Sequence, residues 1–137
     1  MVKPREIVRF ARSLVGVPYK HRGRNRSGID CAGVVSVTAK RFRCPFPHDP
    51  TDYGRACRRR YVDDQVSRSL DRVATNRARV GMVLIVVPGR SLTHLAIVAT
   101  MRTMIAASNE RDVMSVREEL IDWKTVVGVF AFRGVDY

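Results

Sequence analysis

The hexapeptide Gly28-Ile29-Asp30-Cys31-Ala32-Gly33 carries the residues whose types and order could do chemistry. A cysteine that opens a helix faces unpaired backbone N–H groups and the positive end of the helix dipole, and both favour a thiolate over a thiol. The spacing therefore predicts a nucleophilic thiol at Cys31, against the default of a buried structural cysteine. Asp30 stands just before that helix, where a carboxylate accepts the first free N–H groups, so capping is its predicted role. A nucleophilic thiol also needs a base. His94 opens the apolar run Leu95-Ala96-Ile97-Val98, which reads as a strand able to aim an imidazole at a helix packed on its sheet. The default for such a histidine is a strand residue satisfied by hydrogen bonds. His21 and His48 fall in a basic loop and a proline-containing loop, and are read as solvated.

The elements that must position these groups follow from the hydrophobic pattern. Pro4, then Ile7, Phe10, Ala11, Leu14 and Val15, predict an amphipathic helix that stops at Gly16. Residues 20 to 27 are polar and basic and read as a surface loop. Cys31, Val34, Val35, Thr38 and Phe42 share one helical face, although the β-branched residues there suit a strand by propensity. Residues 43 to 61, with three prolines and a glycine, read as a long irregular connection. Val62 to Val73 predicts a short helix. Residues 81 to 87, 95 to 100, 103 to 107 and 126 to 132 then read as strands with short antiparallel connections, with 117 to 123 as a helical or turn interruption. Helices first and sheet second predict one α+β domain over residues 1–137, without repeats or low-complexity segments.

Composition narrows the classes. Hydrophobic residues make up 45% of the chain and charged residues 28%, ordinary values that exclude general disorder. Twenty-five Lys and Arg against thirteen Asp and Glu give a net charge of +12, which implies an anionic partner: nucleic acid, a membrane surface or a polyanionic wall polymer. The basic runs Lys20 to Arg26 and Arg58-Arg59-Arg60 accompany no nucleic-acid motif, and a solvated basic face is the default for both. The N-terminal residues lack the apolar stretch of a secretory signal, and no segment has the length of a membrane span, so synthesis as a soluble chain is expected. Cys31, Cys44 and Cys57 form no close pair, which argues against a zinc ribbon or a disulfide framework. No metal or cofactor is expected, and a Cys44–Cys57 disulfide is disfavoured because two loop cysteines carry no geometric guarantee.

Gly16-Val17-Pro18-Tyr19, Gly28-Ile29-Asp30-Cys31-Ala32-Gly33, Gly81-Met82-Val83 and Thr93-His94-Leu95-Ala96-Ile97 resemble, in this order, the blocks of the NlpC-type cell-wall cysteine peptidases. The resemblance spans nearly the whole chain. It implies a papain-like fold, N-terminal helices on a C-terminal antiparallel sheet, that cleaves peptidoglycan stem peptides near the bond from the γ-linked D-glutamyl residue to the diamino acid. It implies Cys31 as nucleophile, His94 as general base, and Tyr19 leaning over the thiol to support the oxyanion together with the Cys31 backbone N–H. Asp52-Tyr53-Gly54-Arg55, Trp123 and Phe130-Ala131-Phe132-Arg133 resemble more specifically the branch found in bacteriophage tails and gene-transfer particles. That branch implies synthesis in the bacterial cytoplasm, incorporation into a phage tail or phage-like particle, and other tail proteins as partners.

The chain departs from the family at one place. Where the family carries a third polar residue, most often His in an Ile-His-Ala pattern, this sequence reads Met104-Ile105-Ala106-Ala107. The missing group would hold the imidazole in one tautomer and stabilise the imidazolium. Strand alternation puts Ser108 on the face of Ala106, making it the local candidate to orient His94, while Asn109 faces away unless a turn intervenes. Three readings stand: a slow enzyme with His94 oriented by Ser108, a backbone carbonyl or water; a catalytically inactive structural or binding component; and an altered version of an active protein.

Overall fold

The computed structural model describes residues 1–55, 57–89 and 93–137. Helix α1 (Pro4–Ser13) starts at a proline, and the Glu6 carboxylate accepts from the Lys3 backbone N–H at 2.8 Å. It buries Ile7, Val8 and Ala11. The predicted surface loop contains a two-stranded hairpin, β1 (Arg24–Asn25) with β2 (Gly28–Ile29), which delivers the chain to α2 (Cys31–Arg41). Helix α2 forms despite its β-branched residues because one side is packed into the core through Val34, Val35 and Ala39. The Thr38 hydroxyl is accommodated by donating to the Val34 carbonyl at 2.7 Å.

The predicted helix over Val62 to Val73 is in fact two elements. Helix α3 (Arg59–Ser67) begins earlier, and Asp71–Val73 forms strand β3. Leu70, buried between them, belongs to the core rather than to a continuing helical face. The sheet continues with β4 (Val83–Val86), β5 (His94–Val98), β6 (Thr103–Ala107), β7 (Val116–Leu120) and β8 (Val126–Ala131). Its order is β3-β8-β4-β5-β6-β7, with every pairing antiparallel. The expected interruption at 117 to 123 is thus a strand followed by a 3-10 turn at Trp123–Thr125. Its charged run Arg117-Glu118-Glu119 suits an outer strand, and only Val116 enters the core.

The sheet is apolar on both faces. Ile85, Leu95, Ile97, Ile105 and Phe130 meet Ile7, Leu14, Val34 and Val35 of the helical layer. Leu84, Val86, Ala96, Val98, Met104, Ala106 and Val129 form a second cluster, flanked by Trp123 and Tyr137. This explains why the β4 segment reads as a continuous apolar run rather than an alternating one. The Tyr137 hydroxyl closes the second cluster by donating to the Gly81 carbonyl at 2.8 Å. Among the described residues, no helix is long and apolar enough to cross a membrane.

The hairpin lies so close to α2 that Gly33 has no room for a side chain: a Cβ there would stand 2.3 Å from the Gly23 carbonyl oxygen. Helix propensity alone would make Gly33→Ala stabilising by about 1 kcal/mol. The contact reverses the sign, and urea denaturation of Gly33→Ala is expected to show a loss of about 1–3 kcal/mol.

Candidate active site

Asp30 organises the entrance to α2. Its carboxylate accepts from Gly33 N–H at 2.8 Å, Arg22 N–H at 2.9 Å, Arg24 Nη1 at 2.8 Å and the Tyr53 hydroxyl. Asp30 is only 2% exposed, so the charge is buried with both oxygens fully occupied. Capping was legible in the sequence; the other three partners were not. Tyr53 comes from the long connection, and its backbone carbonyl accepts from Arg22 Nε at 2.9 Å and lies 3.2 Å from His21 Nε2. His21 is thus half-buried against the Tyr53 ring and not a solvated loop residue. His48 is likewise half-buried, with its ring bonded to the Gln65 side chain and its backbone N–H donating to Ser69 Oγ at 3.0 Å.

Tyr19 reaches the same place through the backbone. Its N–H donates to the Met114 carbonyl at 2.8 Å, just before β7, and it bridges to Ile29 at the end of β2. Cys31, Tyr19, Asp30 and His94 all line one cavity of about 100 Å³, roofed by Tyr53, Gly54 and Arg55 from the long connection. Cys57 also lines it, its thiol donating to the Gly54 carbonyl at 3.4 Å. Cys44 is buried in the main core, and all three cysteines are free, so Cys44 and Cys57 do not pair.

The electrostatics differ from the simple expectation for a helix-start cysteine. The Cys31 thiol is pushed up to about 11, chiefly by burial, with the Asp30 charge acting the same way. The backbone N–H groups of Leu95 and Ala32 favour the thiolate but do not outweigh the loss of water. Burial thus opposes the thiolate that the helix position favours. Burial also lowers the His94 pKa, opposed by the nearby Glu110 carboxylate. Both shifts favour the neutral forms of the thiol and the imidazole.

The β5–β6 ladder pairs Ile97 with Ile105 and Val98 with Met104. Continued, this register sets Ala106 opposite Ala96 and Ser108 level with His94. Ala106 is a buried member of the second cluster. Ser108 Oγ accepts from the Glu110 backbone N–H at 3.2 Å, and among the described residues it makes no bond to His94. Strand β6 ends at Ala107, so Asn109 turns into the cavity beside Tyr19 instead of facing away. Sequence reasoning admitted Asn109 only if a turn intervened, as it does, and missed Glu110, since alternation is a guide only while the strand lasts.

Residues 16–129 match the sequence model of the NlpC/P60 family. The chain belongs to the NlpC/P60 family. Its fold is similar to that of the NlpC/p60 domain of the peptidoglycan hydrolase SagA, at 21% identity and a TM-score of 0.69, covering 96% of this chain and all of that one. It is also similar to RipD from Mycobacterium tuberculosis, described as a non-catalytic NlpC/p60 domain protein adapted to peptidoglycan binding, at 15% identity and a TM-score of 0.62 over 98% of this chain and 99% of that one. An NlpC/P60 protein from Bacillus cereus matches at 18% identity and a TM-score of 0.71, over 94% of this chain and 40% of its own. No curated protein matches the sequence. The papain-like α+β architecture is thereby established. The family consists typically of peptidoglycan hydrolases and includes non-catalytic binders.

Two measurements check the site. Tyr53→Phe removes one charge-assisted bond to Asp30 and is expected to cost about 1.5–3 kcal/mol in urea denaturation. NMR titration should place the His94 pKa below the usual value near 6.5. Glu110→Gln should lower it further, because the opposing carboxylate is gone. As pH falls through the unfolded-state value, the unfolded chain takes a proton that folded His94 resists, so His94 favours the native state above that pH and its contribution is lost below it.

Proposed function

We propose that this NlpC/P60 protein is a cysteine peptidase that hydrolyses peptide bonds of peptidoglycan stem peptides, near the bond from the γ-D-glutamyl residue to the diamino acid. The observation that carries this reading is the convergence of Cys31, His94 and Tyr19 on one cavity at the start of α2. In this reaction the Cys31 sulfur attacks the amide carbon while His94 takes the thiol proton. The tetrahedral oxyanion is met by the Cys31 backbone N–H, which as a first-turn donor has no intrahelical acceptor, and by the Tyr19 hydroxyl. Collapse breaks the C–N bond, His94 protonates the leaving amine, and water, deprotonated by His94, then releases the acyl group from sulfur.

The absent polar group at Ala106 makes this a slow enzyme, since the imidazolium formed during attack loses its usual hydrogen-bonded partner. Glu110 supplies part of the compensating charge. The same two observations, Ala106 and the high Cys31 pKa, favour a second reading in which the fold binds peptidoglycan without cleaving it. The resemblance of Asp52-Tyr53-Gly54-Arg55 and of the C-terminal aromatic run to phage-tail relatives supports a place in a phage tail or phage-like particle. There the +12 charge would hold an anionic glycopeptide or an acidic tail partner by long-range attraction.

Digestion of purified peptidoglycan separates the readings. New amine termini are expected from the wild type and none from Cys31→Ser. Ala106→His, checked for folding because it enlarges a packed position, is expected to raise kcat by at least about tenfold. Retention on peptidoglycan with no amine release from the wild type would establish the binding reading.

A further inference from the structure

The charges that line the cavity are almost all spent on one another. Arg24 donates to Asp30, to Asp49 Oδ1 at 3.2 Å, and to the carbonyls of Gly23 and Pro50. Asp49 also accepts from Ser36 Oγ and, at 3.3 Å, from Lys40 Nζ. Asp30 has no acceptor position left. Arg55 is the exception. It lines the cavity, is exposed, and among the described residues has no hydrogen-bond or ion-pair partner.

Its position is nonetheless constrained. Two residues earlier, Tyr53 is bonded through its hydroxyl to Asp30 and through its carbonyl to Arg22, and Asp30 immediately precedes Cys31. Arg55 is therefore carried on a segment pinned to the nucleophile's own helix cap. Its charge also reaches the Tyr19 phenol, where it opposes the upward push of burial. The rest of the wall sets apolar Val35, Phe46, Val66 and Leu70 beside polar His48 and Gln65, a lining that suits a ligand with both apolar and polar groups.

We propose that Arg55 is the carboxylate-binding residue of this cavity, taking a free carboxylate that the bound peptide carries close to the carbonyl presented to Cys31. This rests on the reading that the cavity takes a peptide, and it adds the specificity element. A guanidinium fork binds a carboxylate through two parallel N–H bonds, so the Arg55 guanidinium, unpaired among the described residues, matches one carboxylate of the bound peptide. A peptide whose carboxylate is amidated leaves the fork unmatched and is selected against.

Alkylation of Cys31 tests this without requiring turnover. Iodoacetate and iodoacetamide form the same S–CH2 bond and expel the same iodide, and differ in whether a carboxylate or an amide is carried in. The rate constant at Cys31, resolved from Cys57 by peptide mass, is measured for both reagents, and their ratio is compared among variants. Arg55→Gln is expected to lower the iodoacetate-to-iodoacetamide ratio about fivefold. Arg55→Lys, which keeps the charge and loses the fork, should lower it by an intermediate amount, about twofold. Arg59→Gln, on α3 and outside the cavity lining, should leave it unchanged.

An unchanged ratio in Arg55→Gln, or an equal fall in Arg59→Gln, would overturn the proposal, the latter because net charge would then explain the effect. In a peptidase assay, equal kcat/KM for a stem peptide and its carboxamide would also overturn it while leaving the peptidase reading intact. A protein that releases no amines but shows the expected ratio retains the carboxylate site and loses only the hydrolytic reading.

Discussion

The buried carboxylate of Asp30 is the constraint on which the rest of the site depends. An ionised group this deep is tolerated only when its charge and lone pairs are answered, and here they are answered from three separate parts of the chain. Gly33 lies in the first turn of α2, Arg22 and Arg24 bring in the hairpin, and Tyr53 brings in the long connection. One residue thus fixes the start of the helix that carries Cys31 and the roof of the cavity above it. The close approach at Gly33 is part of the same arrangement, because the hairpin has to press against α2 for its arginine to reach the carboxylate.

That arrangement sets the terms of the chemistry. Against the backbone N–H groups of Leu95 and Ala32 that favour the thiolate, burial at the cavity pushes the Cys31 thiol up. The Asp30 charge that secures the helix adds to the same effect. Stability of the site and acidity of its thiol are therefore opposed. The opposition is resolved if His94 acts as a base during attack rather than as a partner in a resting ion pair. Burial lowers the His94 pKa, which favours the neutral imidazole that such a base needs.

The strand next to His94 carries an apolar residue where the family resemblance implies a polar one, and the fold is kept. Ala106 occupies a buried position in the apolar cluster on the sheet face away from α1 and α2, where alanine packs without needing a hydrogen-bond partner. A polar residue there would need a hydrogen-bond partner inside an apolar cluster, and alanine needs none. The turn that follows brings Asn109 and Glu110 close to Tyr19 and His94 and changes the polar surroundings that Ala106 leaves behind.

Much of this protein is written locally. Proline and apolar spacing determine α1, the Asp30 to Gly33 segment determines where α2 starts, and the continuous apolar run of β4 announces a strand covered on both faces. These were legible because they depend on backbone geometry and on periodicity within one element. The partition of Val62 to Val73 into a helix and a strand, and the strand nature of the charged β7 segment, were not, because both are decided by pairing with distant strands. For the site, the ordered motifs single out Cys31, His94 and Tyr19, and all three line one cavity. The pinning of Tyr53 to Asp30, the entry of Asn109 and Arg55 into the cavity, and the high pKa of a thiol placed at a helix start were decided by tertiary structure. Their physical reason is common: each depends on how much water and how many partners remain once segments far apart in sequence have closed over the same few atoms.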